Sequence, residues 1–334
     1  MQLDLFDARA LAPLIGYLEH HGAKSETFLD RARIPAELIA AGGWVAKRQV
    51  YDFAYDIVER SGCPDAVFAA YANFQLDHLG PIADAMRACK TVKEALEVGV
   101  RLGRIAYEGS EYFLQVDGAT TWFCFREPKV PSAGQQYVMD MTLATYHQLI
   151  RLAADEDWYP ERILTQAKTL QRHRKAEHFA DCQASYHPHL SALAFPTKYL
   201  RRRTPWSTNK PRADVQATWA FGPDDCAPLV EKLYRFLGSF FPHRNLPTLN
   251  QVALMLGVSP ATLKRQLTAT GTSYRGLLDR LRFDAACELL AIESMSIHDI
   301  ARELGYSGAN NFVRGFRRMT GSTPGRYREQ LSSE

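Results

Sequence analysis

No stretch of about eighteen uninterrupted apolar residues occurs in this chain of 334 residues, so a membrane-spanning helix is not expected. The N-terminus, Met1 to Phe6, carries acids rather than a basic region ahead of an apolar run, and no signal peptide is read there. Cysteine is sparse: Cys63, Cys89, Cys124, Cys182, Cys226 and Cys287 are scattered without a short repeated spacing. In a chain this long that pattern excludes a disulfide framework and points to reduced thiols in the cytoplasm. No GxSxG, Walker loop, dinucleotide fingerprint or HExxH motif is present, so no enzyme, catalytic residue or cofactor is expected. Cys182, His187 and His189 lie close together, yet they miss a structural-zinc spacing and lack a fourth ligand; no metal is expected. The pair His20-His21 reads as a helix end, where imidazoles suit the dipole.

What is present is ordinary for an ordered globular protein: 46% hydrophobic and 23% charged residues, with length enough for two cores. The charge is uneven. Residues 229–334 hold 14 Lys and Arg against 9 Asp and Glu, whereas the remainder holds 26 against 28. A basic C-terminal part on a mildly acidic body points to a polyanion partner for that part.

Helical spacing predicts helices at Ala8–His21 (Leu11, Leu14, Ile15, Leu18), Lys47–Arg60 (Val50, Phe53, Ala54, Ile57) and Thr91–Tyr107. The last opens with Thr91 and Glu94 placed as a capping box. The period then changes. Glu111–Val116 and Thr120–Phe125 are rich in aromatic and β-branched residues around Asp117-Gly118, which predicts a hairpin. A long helix at about Gln136–Ala154 follows, then short strands near Arg162–Thr165 and Ala192–Phe195. Residues 1–203 therefore read as an α+β domain. Its aromatics Tyr107, Tyr112, Phe113, Trp122, Phe123 and Phe125 suit sheet core, and Tyr112, Trp122 and Phe125 are candidates to line an apolar ligand pocket. The run Lys198 to Arg203 reads as a solvated charged helix end or a phosphate contact. Residues 204–228, dense in Pro, Gly and polar residues, read as a linker, and helical pattern resumes at Leu229 to fill an all-α domain over 229–334.

That last domain contains an internal repeat. Leu249–Gly257 matches Ile297–Gly305: Val252-Ala253 aligns with Ile300-Ala301, and Leu256-Gly257 with Leu304-Gly305. Each copy continues with Val258-Ser259 or Tyr306-Ser307, then a second helix with Leu263 and Leu267 or Phe312 and Phe316 as its buried stripe. Alanine lets two helices approach, glycine permits the turn, and Ser259 and Ser307 are expected to cap the helices that follow. Pro260 suits a first helical position. The second helices turn polar faces outward: Thr262, Lys264 and Arg265 in one, Asn310, Asn311, Arg314, Arg317 and Arg318 in the other. Asn and Arg suit bidentate contacts with adenine and guanine edges, and further Arg and Lys neutralise phosphates. Ser273–Ala291 reads as one helix that sets the spacing between the copies.

Residues from about 229 to 331 resemble the DNA-binding domain of the AraC/XylS-type regulators. The resemblance is carried by Ile300-Ala301-Arg302-Glu303-Leu304-Gly305-Tyr306-Ser307, by Asn311 through Arg318, and by Gly321-Ser322-Thr323-Pro324-Gly325-Arg326-Tyr327-Arg328. It implies two helix-turn-helix units joined by a linker helix, with two recognition helices entering successive major-groove segments of double-stranded DNA. Ala261, Thr262, Lys264 and Arg265 match base-facing positions of the first, and Ala309, Asn310, Asn311 and Arg314 those of the second. Asn311 stands where many members have Ser, and Gly308-Ala309 replaces more polar residues. Gly80 through Met86, Thr91 through Leu96, and Leu193-Ala194-Phe195-Pro196 with Leu200 are similar to the arabinose-binding-like sensor domain of one branch, whose members answer to amino acids and lipids. The resemblance implies a cytoplasmic, nucleoid-associated activator, a homodimer that senses a small effector and engages RNA polymerase. A non-specific architectural DNA binder, or an N-terminal module for dimerisation alone, remain the alternatives.

Overall fold

The aromatic segment over 111–126 forms the hairpin that organises the first half of the chain. The computed structural model describes residues 3–128, 132–154, 157–167, 171–206, 228–241 and 246–331. Strands β3 (Glu111–Asp117) and β4 (Thr120–Arg126) pair from Glu111 opposite Arg126 to Asp117 opposite Thr120. Asp117 is thus a strand residue, and the loop is Gly118-Ala119, one residue later than the dipeptide signal places it. Side chains alternate between the two faces of the ribbon. Tyr112, Thr121, Phe123 and Phe125 share the buried face, while Trp122 lies on the other, under the guanidinium of Arg162.

β7 (Ser191–Pro196) pairs with β4 and with β5 (Arg162–Thr165), and β6 (Gln183–Tyr186) closes the edge, giving a five-stranded sheet in the order β3-β4-β7-β5-β6. Only the β5–β6 pair is parallel in that sheet. A separate two-stranded ladder joins β1 (Leu5–Asp7) to β2 (Trp44–Ala46). β1, β2 and β6 span three or four residues each, too few to show alternation in the sequence.

Helices cover the buried sheet face and each other. The N-terminal pattern at Ala8–His21 is broken into a 3-10 turn at Ala8–Leu11 and α1 (Ala12–His20), with Pro13 early in α1. Then come α2 (Ser25–Ala32), α3 (Glu37–Ala41), α4 (Lys47–Ser61), α5 (Ala66–Tyr71), α6 (Pro81–Arg87) and α7 (Val92–Ala106). Thr91 caps α7 by accepting from the Glu94 amide at 3.2 Å, but the Glu94 carboxylate accepts from Lys90 N, one residue before the expected partner. α8 (Gln135–Ala154) lies across the sheet, its Tyr146 ring stacked on Phe123 with centroids 3.4 Å apart. Each such ring buried is worth about 1.5–3 kcal/mol. α9 (Gln171–Lys175) brings Arg172 to the buried carboxylate of Asp140 on α8.

Residues 228–334 form a second unit, distinct from 1–227. It holds α10 (Leu229–Gly238), α11 (Leu249–Met255), α12 (Pro260–Ala269), α13 (Tyr274–Leu290), α14 (Ile297–Glu303), α15 (Ala309–Thr320) and α16 (Pro324–Leu331). α13 serves two neighbourhoods: α10 packs on it near Leu281, while Ala286 and Leu290 enter a core with Ile300, Ala301, Leu304, Phe312 and Phe316. Arg328 of α16 donates to the carbonyls of Leu290 (3.1 Å) and Met295 (2.7 Å), fastening the last helix to the end of α13. Of the residues read as a linker, Thr204 belongs to the first unit, its hydroxyl donating to the Cys89 carbonyl at 2.9 Å. Residues 207–227 lie outside the described residues.

Candidate nucleic-acid interface and sensor cavity

The two halves of the repeat build the same turn from the same hydrogen bonds. α11 starts at Thr248, whose hydroxyl accepts from the Gln251 amide while the Gln251 side chain accepts from Thr248 N, a reciprocal box. It ends with Gly257 at φ 69° and with Val258 N donating to Ala253 O at 2.9 Å. α14 starts at Ser296, which accepts from the Asp299 amide, and ends with Gly305 at φ 75° and Tyr306 N donating to Ala301 O at 2.9 Å. A left-handed residue at this place favours glycine, and the six-to-one bond satisfies a helix-end carbonyl. Ala253 and Ala301 are fully buried where the paired helices meet.

Beyond the turn the two copies differ by one residue. In the first, Ser259 caps α12 by accepting from the Thr262 amide at 3.1 Å, with Pro260 at the first helical position. In the second, Gly308 occupies the cap in extended backbone, and Ser307 does not cap α15. Its hydroxyl instead accepts from the Asn311 side-chain amide at 2.6 Å. The longer turn, Gly305-Tyr306-Ser307-Gly308, moves Ser307 one residue ahead of the cap and accounts for the departure from the expected role.

Burial sorts the remaining side chains. Leu263 and Leu267 of α12, and Phe312 and Phe316 of α15, are buried. Ser259, Ala261, Lys264 and Arg265 are exposed, with Thr262 half-buried. On α15, Asn310, Asn311, Arg314, Arg317 and Arg318 are exposed and Ala309 is half-buried. Arg314 donates to the Asn311 side-chain oxygen, so Ser307, Asn311 and Arg314 form one exposed polar chain along the helix. Beside it α13 and α15 enclose a concavity of about 470 Å³ that four arginines line: Arg275, Arg282, Arg314 and Arg318. Arg282 lies over the Tyr306 ring, 5.8 Å from its centroid.

In the first unit, a cavity of about 40 Å³ sits between the sheet and the helices, walled by rings and aliphatic chains that include Tyr71, Tyr107, Tyr112, Tyr146 and Met141. Gly99 of α7 is also in its wall, where a Cβ would meet Met86 Sδ at 3.7 Å. Burial pushes the Tyr107 and Tyr112 hydroxyls well above the usual phenol range, so both are neutral. The carboxylate in the wall, Glu127, is already taken up. Lys47 Nζ lies 2.8 Å from it, and the Ser110 and Tyr51 hydroxyls donate to it. Of the three aromatics read as pocket candidates, Tyr112 lines the cavity. Phe125 is buried core beside Tyr112 without lining it, and Trp122 faces away on the opposite side of the sheet.

Comparison with known proteins shows two family models matching this chain. One, described as the arabinose-binding domain of AraC transcription regulator, N-terminal, matches residues 22–204; the other, a helix-turn-helix domain, matches 252–330. The chain belongs to the AraC-type transcription regulators. It is a DNA-binding regulator with an arabinose-binding-like N-terminal domain. The ornithine utilization regulator of Pseudomonas aeruginosa is 23% identical over 326 residues, 95% of this chain and 94% of that protein. The regulator GadX of Escherichia coli O6:H1 is 38% identical over 87 residues, 26% of this chain and 32% of that protein. The crystal structure of the regulator CdpR from Pseudomonas aeruginosa aligns over 98% of this chain and 99% of that one, at 20% identity and a TM-score of 0.44. The AraC-type assignment bears out the expected fold class, an α+β N-terminal part with an all-α part carrying helix-turn-helix units.

Proposed function

We propose that this protein is a sequence-specific transcription activator in which residues 229–334 read DNA and residues 1–203 sense a small effector and mediate homodimerisation. The observation that carries the DNA half is the repeated construction of the second unit. Two helices, α12 and α15, follow the same glycine turn and each buries one stripe while exposing another. Ser259, Ala261, Thr262, Lys264 and Arg265 make up the first reading face. Ala309, Asn310, Asn311, Arg314, Arg317 and Arg318 make up the second. Arg314 is of the type that reads guanine and Asn311 of the type that reads adenine, and to reach a base Asn311 must exchange its bonds to Ser307 and Arg314 for bonds to that base. RNA polymerase is the partner through which an activator of this kind acts.

The cavity supports a small, largely apolar effector. Its carboxylate is neutralised by Lys47, which leaves carbon, phenol and the hydroxyls of Thr142 and Thr145 to meet a ligand. The relative's name refers to ornithine utilization; a wall without a free charge favours a different, uncharged molecule here. Since the free space is small, binding selects a conformation in which side chains have turned aside, and it shifts the protein between states of different DNA affinity. Tyr112 is the sequence-chosen residue that this reading retains, whereas Trp122 and Phe125 contribute packing.

A nuclease footprint on DNA flanking the protein's own gene tests the reading, with Arg265→Ala and Arg314→Ala as controls. Protection over about two helical turns, each variant losing a different half, is the expected result. Each substitution should cost about 1–3 kcal/mol on cognate DNA and relax one position of the site. Equal competition by any DNA, with no discrete footprint, would favour non-specific binding instead. For the sensor, an effector at about 100 times its dissociation constant raises stability by roughly 2.7 kcal/mol, which thermal shift detects. A first unit that no apolar metabolite stabilises would be a dimerisation module alone.

A further inference from the structure

The concavity between α13 and α15 continues from the second reading face, with which it shares Asn311, Arg314 and Arg318, onto α13, which belongs to neither reading face. Its far wall comes from the helix that joins the two readers. Arg275 stands in the first turn of α13, exposed, and among the described residues no ion pair is found for it. Arg282 is two turns further on, its side chain 31% exposed. A single carboxylate, Asp279, sits between them, 3.8 Å from Arg282 and 3.5 Å from Arg318. Four guanidinium groups against one carboxylate leave this small space with a surplus of three positive charges. Like charges repel over such distances, and a folded chain gains nothing by gathering them unless an anion comes to the site.

We propose that this concavity is a cradle for DNA backbone phosphate, in which Arg275 and Arg282 of the joining helix hold the strand beside the bases that α15 reads. The inference rests on the DNA-reading function proposed above and assigns a separate task to residues of α13. Continuity decides the occupant: Arg314 belongs to both the cradle and the reading face, so an anion seated here is one that a duplex in the groove presents. Guanidinium groups suit phosphate because their planar donor forks match its oxygens. Arg282 is held ready by its stack on Tyr306. Asp279 opposes phosphate entry. Its two ion pairs are long and partly exposed, so they hold the arginines only weakly, and its charge is the stronger influence.

The test is the salt dependence of full-length protein binding to a duplex of arbitrary sequence, which needs no knowledge of the operator. Each phosphate contact contributes about −0.9 to the slope of log K against log salt concentration. Arg275→Ala and Arg282→Ala should each make the slope shallower by about one, weakening binding to duplexes of different arbitrary sequence alike. The advantage of the parent over either variant should then fall about 3.5-fold between 50 and 200 mM salt. Arg282→Lys, which keeps the charge but not the stacked plane, should restore the slope. Asp279→Asn should tighten binding several-fold on every sequence. A purely structural role would instead make Asp279→Asn weaken binding. Parental slopes in both arginine variants overturn the cradle while leaving the reading helices intact; a parent that binds no duplex at all overturns the DNA-reading function as well.

Discussion

Replacing Lys47 by methionine removes an ammonium group that is buried with all of its donors in use. Its Nζ lies 2.8 Å from Glu127, donates to Ser110 Oγ, and donates to the Glu108 carbonyl at 3.1 Å. The side chains of the pair are 4% and 1% exposed, so water does not reach the carboxylate that the substitution strands. Breaking a buried pair from one side costs about 3–5 kcal/mol, a large share of the roughly 5–15 kcal/mol that holds a domain folded. For a unit of this size that is a fall in Tm of about 6–20 °C. Removing both charges in Lys47→Met/Glu127→Leu should recover about a third to three-fifths of the loss. The remainder, about 1 kcal/mol each, comes from Ser110 and the Glu108 carbonyl losing a donor or acceptor. All five tryptophans precede residue 228, so tryptophan fluorescence during guanidinium unfolding reports the first unit without interference from the second. A single variant within 1 kcal/mol of the parent, or a double variant equal to the sum of the singles, would refute the claim that the pair is dry and coupled.

Two further outcomes follow from the same kind of reasoning. Ser259→Ala should destabilise the second unit by about 1 kcal/mol, because Ser259 satisfies a helix-start amide. Ser307→Ala should cost a few tenths, because Ser307 bonds only an exposed side chain; chemical denaturation followed by far-UV circular dichroism compares them, and equal losses would contradict the longer turn. His147, 1% exposed and packed among Trp158, His178 and Phe179, has its imidazole pushed down to about 3 by burial, with like charge from His178 and Arg151 adding to it. An unfolded histidine titrates near 6.5, so the unfolded chain takes up the extra proton first, and stability falls as pH drops from there toward 3. Between pH 6.5 and 5.5 the parent should lose about 1 kcal/mol more than His147→Phe, measured by denaturant midpoints at each pH. A variant whose loss equals the parent's would mean that His147 is hydrated.

The helix-turn-helix copies were legible because every relation that defines them is local. Ala253, Gly257 and Val258 close their turn within six residues, and Leu263 and Leu267 repeat at helical spacing. The hairpin was legible for the same reason, to within one residue at Gly118-Ala119. What escaped was set by competition between neighbours. Whether Ser307 or Gly308 caps α15 depends on where Phe312 and Phe316 must sit to meet Ile300 and Leu304, and composition alone does not express that choice. The short strands β1 and β2 exist because residues forty positions apart pair, not because three residues alternate.

The cavity of the first unit was the least legible part, and its construction explains why. Its wall draws on Tyr71, Gly99, Tyr107, Tyr112, Glu127, Met141 and Tyr146, contributed by helices and strands that are distant in the chain. Aromatic composition pointed to the hairpin as a whole, but only the face of β3 that carries Tyr112 turns inward; the pleat sends Trp122 of β4 to the other side. Equally, Glu127 reads in the sequence as an ordinary acid at a strand end. It becomes a neutral wall only because Lys47, eighty residues earlier, is the buried first residue of a helix. The chemistry of the cavity wall is therefore a product of pairing across the fold. A change at Lys47 alters the charge of the cavity wall as well as the stability of the unit that holds it.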